Sequence, residues 1–392
     1  MVNVKHFSAE FGEDVSGGAG TCVNELYRAS GPETEFIHLT GHPETWAAAE
    51  RVKHIGLYDM DVINKLDFDA AIFHYYGLSC LTHDSVLRGR SMIFAVHSVP
   101  TTEPWSLLDP YGGNDAVAGR FERMCDRADR IVCVSEAERG KLLLLYPDLE
   151  PKARVIYNGI AGSFAEPKAA PAGHRTRFGF LGRCDYRKGL REALAAFRFV
   201  EGELWIACGA EDAAYRIEAE LDARRFGLDS RVRWLDRLDE AGKAAFFADI
   251  DALLVPSRWE PFGYVVLEAL RAGVPPIIGS RGGMKEIVGE QYRYQFDPYD
   301  TDSMIQCILD FQKDSAETVQ TAATEASRRA KRLTAAGMAE QYVRTAQEIA
   351  VSERLPEIAS KKLRHAGADA ADAWRLCAAA DGHASATPKR DA

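Results

Sequence analysis

The sequence predicts an α/β protein with two doubly wound, parallel-sheet domains of similar size that face each other across a crevice. Short apolar runs bounded by turn residues alternate with helical patterns, which is typical of parallel sheets covered by helices. The chain has 392 residues, enough for two domains of ordinary size. Residues 161–176 are rich in Ala, Pro and Gly and lack periodicity, so we expect a linker there.

Six strands are predicted in the first half and five in the second. The first six are VNVKHFS, TEFIHLT, DAAIFHYY, SMIFAVHS, DRIVCVS and ARVIYN, and the other five are RFGFLG, ELWIACG, RVRWL, DALLVPS and VPPIIGS. Helical patterns between them include CVNELYRA, AVAGRFERMCDRA, LREALAAFRF and EAGKAAFFADI. We therefore expect a first domain over 1–165, a second over 166–333, a helix over 334–352, and a partly disordered extension over 353–392.

Composition narrows the class of protein. Hydrophobic residues make up 46% and charged residues 27%, as in a globular domain. No apolar run reaches the roughly 18 residues that span a bilayer, and the N-terminus lacks the pattern of a secretory signal. Eight cysteines without a C-x-x-C pair favour reduced thiols over a disulfide framework or zinc site. We expect a cytoplasmic protein.

The net charge of the chain indicates which kinds of partner it can bind. The net charge of −10 argues against nucleic acid, which is bound by basic surfaces. Residues 1–165 hold 15 Lys+Arg and 23 Asp+Glu (15 − 23 = −8), a poor surface for docking on anionic lipid. We expect that half to meet a neutral or cationic partner away from membranes.

The stretch RWEPFGYVVLEALRAG, residues 258–273, predicts an anion site. A helix starting near Tyr264 presents unpaired N–H groups at the carboxyl edge of a parallel sheet, where ligands of such folds bind. Pro261 and Gly263 shape the approach of the backbone. Glu268, one turn into the helix, can accept hydrogen bonds from a diol such as ribose, and Glu260 lies on the other side of the phosphates. The alternative is that Glu268 only stabilises the helix dipole.

Two other loops point into the same crevice. In LGRCDYRKG, Arg183 and Lys188 follow a strand and can hold a diphosphate, although solvated Arg and Lys are common in loops. In GEDVSGGAGTCVNELY, Gly17, Gly18 and Gly20 open a helix. Their spacing is not G-x-G-x-x-G, and no acidic residue ends the next strand, which disfavours a dinucleotide dehydrogenase.

His97 ends the predicted fourth strand in FAVHSVPTTEPW. A lone histidine after an apolar strand is more often structural, but its place on the crevice edge favours a sugar contact. Three Asp-x-Asp triplets, at 59–61, 67–69 and 249–251, are interpreted as solvated or capping groups rather than metal ligands. The sequence has no G-x-S-x-G, H-E-x-x-H or Walker motif.

The segment PSRWEPFGYVVLEALRAGVPPIIGSRGGMKEIV resembles the Glu-x7-Glu signature of GT-B glycosyltransferases of family 4, the retaining, glycogen-synthase-like group. LGRCDYRKG resembles the phosphate loop of that family, and HSVPTTEPW and YNGI resemble two further segments. The resemblance covers roughly residues 7–350. It implies the GT-B fold, with the helix after residue 333 crossing back to the first domain.

The resemblance also implies a role for each matching residue. Glu268 would bind the donor ribose and Glu260 a sugar hydroxyl. The residues implied to be catalytic are His97, Glu260, Arg183 and Lys188. Those implied to bind the donor are Gly17, Gly18, Arg183, Lys188, Glu260, Phe262, Gly263, Tyr264, Val265 and Glu268. No cofactor or metal is implied beyond a nucleotide-sugar co-substrate, for which we expect a UDP-sugar.

Two departures from the family matter. Ala161 replaces the Asp that usually follows Asn-Gly-Ile, and Ser16 replaces a basic residue of the first loop. The second weakens an assignment to glucan elongation. The resemblance still implies a retaining, α-linking, metal-independent transfer from a nucleotide-diphospho-sugar to a soluble small-molecule or glycan acceptor.

Two other function classes stay open. A nucleotide-sugar 2-epimerase shares the GT-B layout and needs no acceptor. A non-catalytic sugar-binding protein would not need the cationic pair Arg183 and Lys188. No motif specifies the base, the sugar, the acceptor or the oligomeric state.

Overall fold

Two parallel sheets form the scaffold, as the sequence predicts. The computed structural model describes residues 2–366 except 13, 14, 16, 48, 58, 83, 88, 100–114, 169–175 and 210–212. The first sheet has seven strands in the order β3-β2-β1-β4-β5-β6-β7, and the second has six in the order β10-β9-β8-β11-β12-β13. The strands are β1 (Val4–Ser8), β2 (Thr34–Thr40), β3 (Val52–Gly56), β4 (Ala70–Phe73), β5 (Ser91–Val96), β6 (Arg130–Cys133), β7 (Ala153–Val155), β8 (Arg177–Leu181), β9 (Glu203–Ala207), β10 (Val232–Leu235), β11 (Ala252–Val255), β12 (Pro276–Gly279) and β13 (Gln295–Phe296).

Helices cover both sheets and connect their strands. They are α1 (Gly18–Ala29), α2 (Met60–Ile63), α3 (Asp84–Leu87), α4 (Asp115–Arg127), α5 (Glu136–Leu145), α6 (Leu190–Ala196), α7 (Ala213–Arg225), α8 (Glu240–Asp249), α9 (Tyr264–Arg271), α10 (Met284–Val288), α11 (Thr301–Lys313), α12 (Ala316–Ala330) and α13 (Ala335–Ala366). Shorter 3₁₀ turns include Pro43–Thr45, Tyr76–Thr82, Pro147–Lys152 and Tyr186–Lys188. The pairs that join neighbouring strands are parallel, so the carboxyl ends of each sheet meet at one edge.

The structure contains two strands, β3 and β13, that the sequence analysis did not predict. β3 is an edge strand in which exposed Lys53 alternates with buried Val52 and Ile55, so it lacks the continuous apolar run of a central parallel strand. β13 has two residues and gives no periodic signal. The strand predicted before His97 is present. It is the fifth strand of the chain and not the fourth, because β3 was missed.

The end of the chain returns to the first domain. α13 packs against α1, β4 and β5, and Tyr342 of α13 is fully buried. Ile160, before the linker, forms a parallel bridge with Thr334, so the two passages between the domains lie side by side. The helix continues to Ala366, past residue 352 where it was expected to end. Residues 367–392 of the expected extension lie outside the described residues, as do Ser16 and residues 100–105 of the segment after His97.

Candidate functional site

The loop between β11 and α9 is held in one shape by its backbone. Gly263 has φ +106° at the N-terminus of α9, a conformation that favours glycine. The carbonyl of Glu260 accepts a hydrogen bond from the N–H of Gly283 at 2.8 Å. A Cβ on Gly282 would lie only 2.1 Å from that carbonyl oxygen, so glycine there permits the close contact. The loop is thus clamped against the turn that follows β12.

Glu260 and Lys188 meet in the crevice although 72 residues separate them. The Lys188 ammonium forms an ion pair with Oε1 of Glu260, and Ser257 Oγ donates to the same oxygen at 2.8 Å. Glu260 is 8% exposed. A buried carboxylate bound by a lysine and a hydroxyl stays in one orientation.

Arg183 lies in the same loop as Lys188, between β8 and α6. Its Nη2 is 3.1 Å from Oδ2 of Asp185, and Oδ1 of Asp185 accepts a hydrogen bond from the Arg187 N–H at 3.0 Å. The loop thus carries two cationic side chains, the partly exposed guanidinium of Arg183 and the ammonium of Lys188. Fixed positive charge of this kind suits a diphosphate.

Glu268 is paired with a lysine that the sequence analysis missed. Lys243 Nζ of α8 lies 3.0 Å from Oε1 of Glu268 and 2.7 Å from Oε1 of Glu240. Burial raises the pKa of Glu268, and the charge of Lys243 opposes that rise. Burial lowers the pKa of Lys243, but Glu268 and Glu240 outweigh it, and the net shift is upward. The buried carboxylate therefore depends on Lys243 for its charge.

The N-termini of two helices converge across the crevice. α9 begins at Tyr264, the predicted residue, and a Cβ on Gly18, the first residue of α1, would lie 3.7 Å from the Tyr264 ring. The space next to Gly17 is open. Phe262 and Tyr264 are buried and Val265 is half-buried, so their side chains pack inward. Helix N-termini carry unpaired N–H groups and partial positive charge, so this convergence suits an anion.

His97 is hydrogen-bonded to a second histidine that the sequence analysis did not single out. Its Nε2 lies 3.0 Å from Nδ1 of His74, and Nε2 of His74 lies 2.8 Å from Nδ1 of His6. Burial lowers the pKa of His97 to about 4, so the ring is neutral near pH 7. A neutral imidazole can donate to or accept from a sugar hydroxyl.

A buried carboxylate ties the segment of His97 to that of Glu260. Glu138 of α5 is fully buried. Its Oε1 accepts a hydrogen bond from the Val99 N–H at 2.5 Å, and its Oε2 accepts one from the Trp259 indole at 2.8 Å. Sequence reasoning could not find this group, because Glu138 lies 121 residues from Trp259 in a helix that looks like a surface helix.

The same end of α5 docks on the second domain. Ser135 Oγ donates to the Pro261 carbonyl at 2.5 Å. Glu286 of α10 accepts hydrogen bonds from the N–H groups of Glu136 and Ala137 at 2.9 and 2.8 Å. The loop between β11 and α9 is therefore braced from the facing domain.

The Asp-x-Asp triplets have structural partners. Asp59 caps α2 by accepting from the Val62 N–H, and Asp251 accepts from the Arg177 N–H at 2.7 Å. A different set of possible metal ligands occurs in the described residues: Cys22, His74 and His97 offer ligand atoms within 4.8 Å of one another. No metal was predicted from the sequence. Both nitrogens of His74 are already engaged by His6 and His97, which does not fit a ligand with a free lone pair.

Comparison with known proteins places the chain in a family. The protein-family model "Glycosyltransferase Family 4" matches residues 37–162, and the family model "Glycosyl transferases group 1" matches residues 164–330. An alpha-maltose-1-phosphate synthase from Mycolicibacterium smegmatis is 27% identical over 322 residues, which is 74% of this chain and 82% of that protein. A glycogen synthase from Thermus thermophilus is 40% identical over 111 residues, 28% of this chain and 25% of that protein.

Solved structures match the fold over most of both chains. Sucrose-phosphate synthase from Thermosynechococcus elongatus gives a TM-score of 0.73 at 18% identity and covers 89% of this chain and 99% of its own. HepE from Anabaena, in complex with UDP-glucose, gives 0.73 at 16% identity and covers 89% and 100%. In the part of the chain that the structure describes, no helix could span a membrane. The chain belongs to the GT-B glycosyltransferases of family 4, the glycogen-synthase-like glycosyl transferases group 1, and is a nucleotide-sugar-dependent glycosyltransferase.

Proposed function

We propose that this enzyme transfers a sugar from a UDP-sugar to a hydroxyl of a small sugar or glycan, with retention, an α-linkage and no metal. One observation carries the proposal: Glu260 and Glu268 flank the N-terminus of α9, each with its own lysine. Two carboxylates on either side of an anion site suit a ligand with a diol at one end, phosphates in the middle and a sugar at the other end.

Each group then has a task in the transfer. Glu268 accepts hydrogen bonds from the ribose, while the N-termini of α1 and α9 receive the diphosphate. As the bond between the sugar and the phosphate breaks, negative charge grows on the leaving oxygen. Arg183 and Lys188 are fixed cations that stabilise this charge without a metal. Glu260 and His97 orient the sugar hydroxyls. The acceptor hydroxyl attacks from the face of the leaving group and passes its proton to the departing phosphate oxygen.

The donor and acceptor classes are supported by similar proteins. HepE is described in complex with UDP-glucose, and the other matches are named as synthases of maltose-1-phosphate, sucrose phosphate and glycogen. We therefore propose a hexose donor, with a hexose phosphate or a short α-glucan as acceptor. The charge of −8 over residues 1–165 favours the neutral glucan.

The test has two steps. First, thermal shifts with UDP, GDP, ADP and dTDP compare the wild type with Glu268→Gln. A nucleotide at about 100 times its Kd stabilises by about 2.7 kcal/mol, which is worth several degrees in Tm. Only UDP is expected to give this shift, and the variant should lose most of it. If no nucleotide shifts the wild type, the donor assignment is wrong.

Second, the stabilising nucleotide is supplied as its sugar derivative, with hexose phosphates and malto-oligosaccharides in parallel. Product NMR reads the linkage, and a chelator tests metal independence. Isomerisation of the donor without any acceptor would instead indicate a 2-epimerase, which the family models and named relatives do not favour.

A further inference from the structure

Three histidines form a continuous hydrogen-bonded chain under the crevice. His6 lies on β1, and His74 and His97 directly follow β4 and β5, which are neighbours in the order β1-β4-β5. The N···N distances are 2.8 Å for His6–His74 and 3.0 Å for His74–His97. The ring planes differ by only 18° and 27°. Tyr342 of α13 packs against His6 and His74 with centroids 5.8 and 5.9 Å away.

The pattern of nitrogens links the protonation of the three rings. A neutral imidazole has one N–H and one lone pair. His74 binds a neighbour through each nitrogen, so it donates to one and accepts from the other. If its hydrogen is on Nδ1, it donates to Nε2 of His97 and accepts from Nδ1 of His6. If its hydrogen is on Nε2, both bonds reverse. In either case all three rings carry the hydrogen on the same nitrogen.

The hydrogen-bonded chain of histidines is neutral, and it ends at a ring nitrogen that makes no hydrogen bond to the described residues. Burial lowers the pKa of His6 to about 3 and that of His97 to about 4, and it holds the pKa of His74 well below its usual value. Nδ1 of His97 is buried and has no partner among the described residues. Leaving a buried polar atom unpaired is costly, so a ligand group that reaches it gains affinity.

We propose that His6 and His74 are positioning residues for the transfer: they hold His97 in a tautomer shared by all three rings, and so set whether His97 Nδ1 donates to or accepts from a sugar hydroxyl. This rests on the proposed function only in taking the sugar as the ligand of His97. Moving the two bridging protons alone would leave one end ring negatively and the other positively charged, so conversion between the two states also requires one end of the histidine chain to take up a proton and the other end to release one. The sugar thus meets a nitrogen of defined character in a fixed ring plane.

A metal ion is the competing use of this cluster. Cys22, His74 and His97 resemble the three-ligand set of an open zinc site. A metal bound between His74 Nδ1 and His97 Nε2 would need lone pairs on both atoms, whereas their 3.0 Å separation is that of a hydrogen bond. Burial also raises the pKa of the Cys22 thiol to about 12, which disfavours the thiolate.

The first experiment reads tautomers directly and needs no turnover. Protein with ¹⁵N-labelled histidine is compared as wild type, His74→Gln and His74→Phe, since bare and hydrogen-bearing ring nitrogens differ widely in ¹⁵N shift. We expect His6, His74 and His97 to share one tautomer in the wild type. His74→Gln should keep His6 and His97 alike, because one amide donates and accepts as the ring does. His74→Phe should leave His97 as a mixture of its two tautomers.

Any one of three results would overturn the proposal. The first is opposite tautomers for His6 and His97 in the wild type. The second is a tautomer of His97 that does not respond to His74→Phe. The third is retention of one equivalent of Zn²⁺ by the wild type that both His74→Phe and Cys22→Ala abolish, since a metal would then hold the rings.

The second experiment reads function. With donor and acceptor, His74→Phe should lower kcat about 10- to 100-fold with a smaller effect on the donor KM, and His74→Gln should recover part of the loss. Tyr342→Phe is the matched control, because it keeps the ring that packs on the chain and removes a hydroxyl without a described partner. Equal losses in all three variants would mean that the histidines only fill space. If the wild type shows no turnover, the proposed function fails and the NMR result still stands.

Discussion

The indole of Trp259 donates a 2.8 Å hydrogen bond to the buried carboxylate of Glu138, which lies in the other domain. Trp259 precedes Glu260, and the other oxygen of Glu138 holds the Val99 N–H, two residues after His97. The ammonium of Lys141 lies over the Trp259 ring, 5.0 Å from its centroid. One carboxylate thus sets the distance between the two segments that we expect to face the sugar.

Glu138→Gln is predicted to impair catalysis more than folding. An amide can accept from only one of the two N–H groups and turns its own N–H₂ towards the other. Loss of one hydrogen bond to a charged group costs about 1.5–3 kcal/mol, so kcat/KM should fall about 10- to 100-fold if the two segments separate. Steady-state kinetics, with circular dichroism to check the fold, measure this.

Glu136→Gln is the matched control for that substitution. It lies in the same helix, but its side chain is 60% exposed and makes a surface pair with Arg139 at 3.5 Å. Such pairs are worth about 0–1 kcal/mol, so the control should behave as wild type. If Glu138→Gln also behaves as wild type, the tie between the segments is not needed for transfer.

Nucleotide binding is predicted to weaken as the pH falls through a window that lies above the ordinary pKa of a glutamate. Burial raises the pKa of Glu268, so it takes up a proton at a higher pH than an exposed glutamate does. Once protonated, it no longer offers two acceptor oxygens to a diol. Titration calorimetry with UDP across this range should show affinity lost towards low pH, and Glu268→Gln should be weaker throughout and lack this step.

The linkage to stability has the opposite sign. The folded state binds the proton of Glu268 more tightly than the unfolded state, so this group makes folding less favourable as the pH rises through its folded pKa. Glu268→Gln should therefore raise Tm relative to wild type more at neutral than at acidic pH. A variant whose Tm follows the wild type at all pH values would contradict the assignment of a raised pKa.

Lys243→Met is predicted to move that window further up. Lys243 supplies the charge 3.0 Å from Glu268 that opposes the effect of burial. Without it the carboxylate should take up its proton at still higher pH, and UDP affinity near neutrality should drop about tenfold or more. The pH profile of UDP binding separates this from a simple loss of contact, which would lower affinity equally at every pH.

The position of the helix at 264 was predictable because its signals are local. Pro261, Gly263 and the apolar run after Tyr264 lie within a few residues of one another, and the phosphate loop follows its strand directly. The partners of these residues were not predictable in the same way. Lys243 lies 25 residues before Glu268, and the two meet only because α8 and α9, on either side of β11 in the chain, come together in the fold. The histidine chain likewise depends on the order β1-β4-β5, which no periodicity in the sequence encodes.

Gly282→Ala is predicted to destabilise the loop between β11 and α9. The residue has φ +85°, and its new Cβ would overlap the Glu260 carbonyl. Strain of this kind costs about 1–3 kcal/mol, and relief by shifting the loop would displace Glu260. We expect a lower Tm and a loss of kcat together.

Gly140→Ala, in contrast, is predicted to stabilise the protein. Gly140 lies exposed inside α5 with nothing near its Cβ direction, so alanine should stabilise by about 0.5–1 kcal/mol through helix propensity. Thermal melts of both variants distinguish the two cases. A Gly282→Ala protein as stable and active as wild type would show that the clamp between the loop and Gly283 is dispensable.

Lys188 and Glu260 are predicted to act as a coupled unit. Lys188→Met removes a cation from the expected leaving group and leaves Glu260 buried without its ion-pair partner, so kcat should fall about 100-fold or more. Glu260→Gln alone keeps a hydrogen-bonding side chain and frees Lys188. Because the two groups touch, the double variant should lose much less than the product of the single losses, an interaction of about 0.5–3 kcal/mol in a double-mutant cycle. Arg187→Met, in the same loop, is the control for general loss of positive charge, since its guanidinium lies 3.8 Å from Asp185. Additive losses for Lys188 and Glu260 would mean that each residue binds the donor independently of the ion pair.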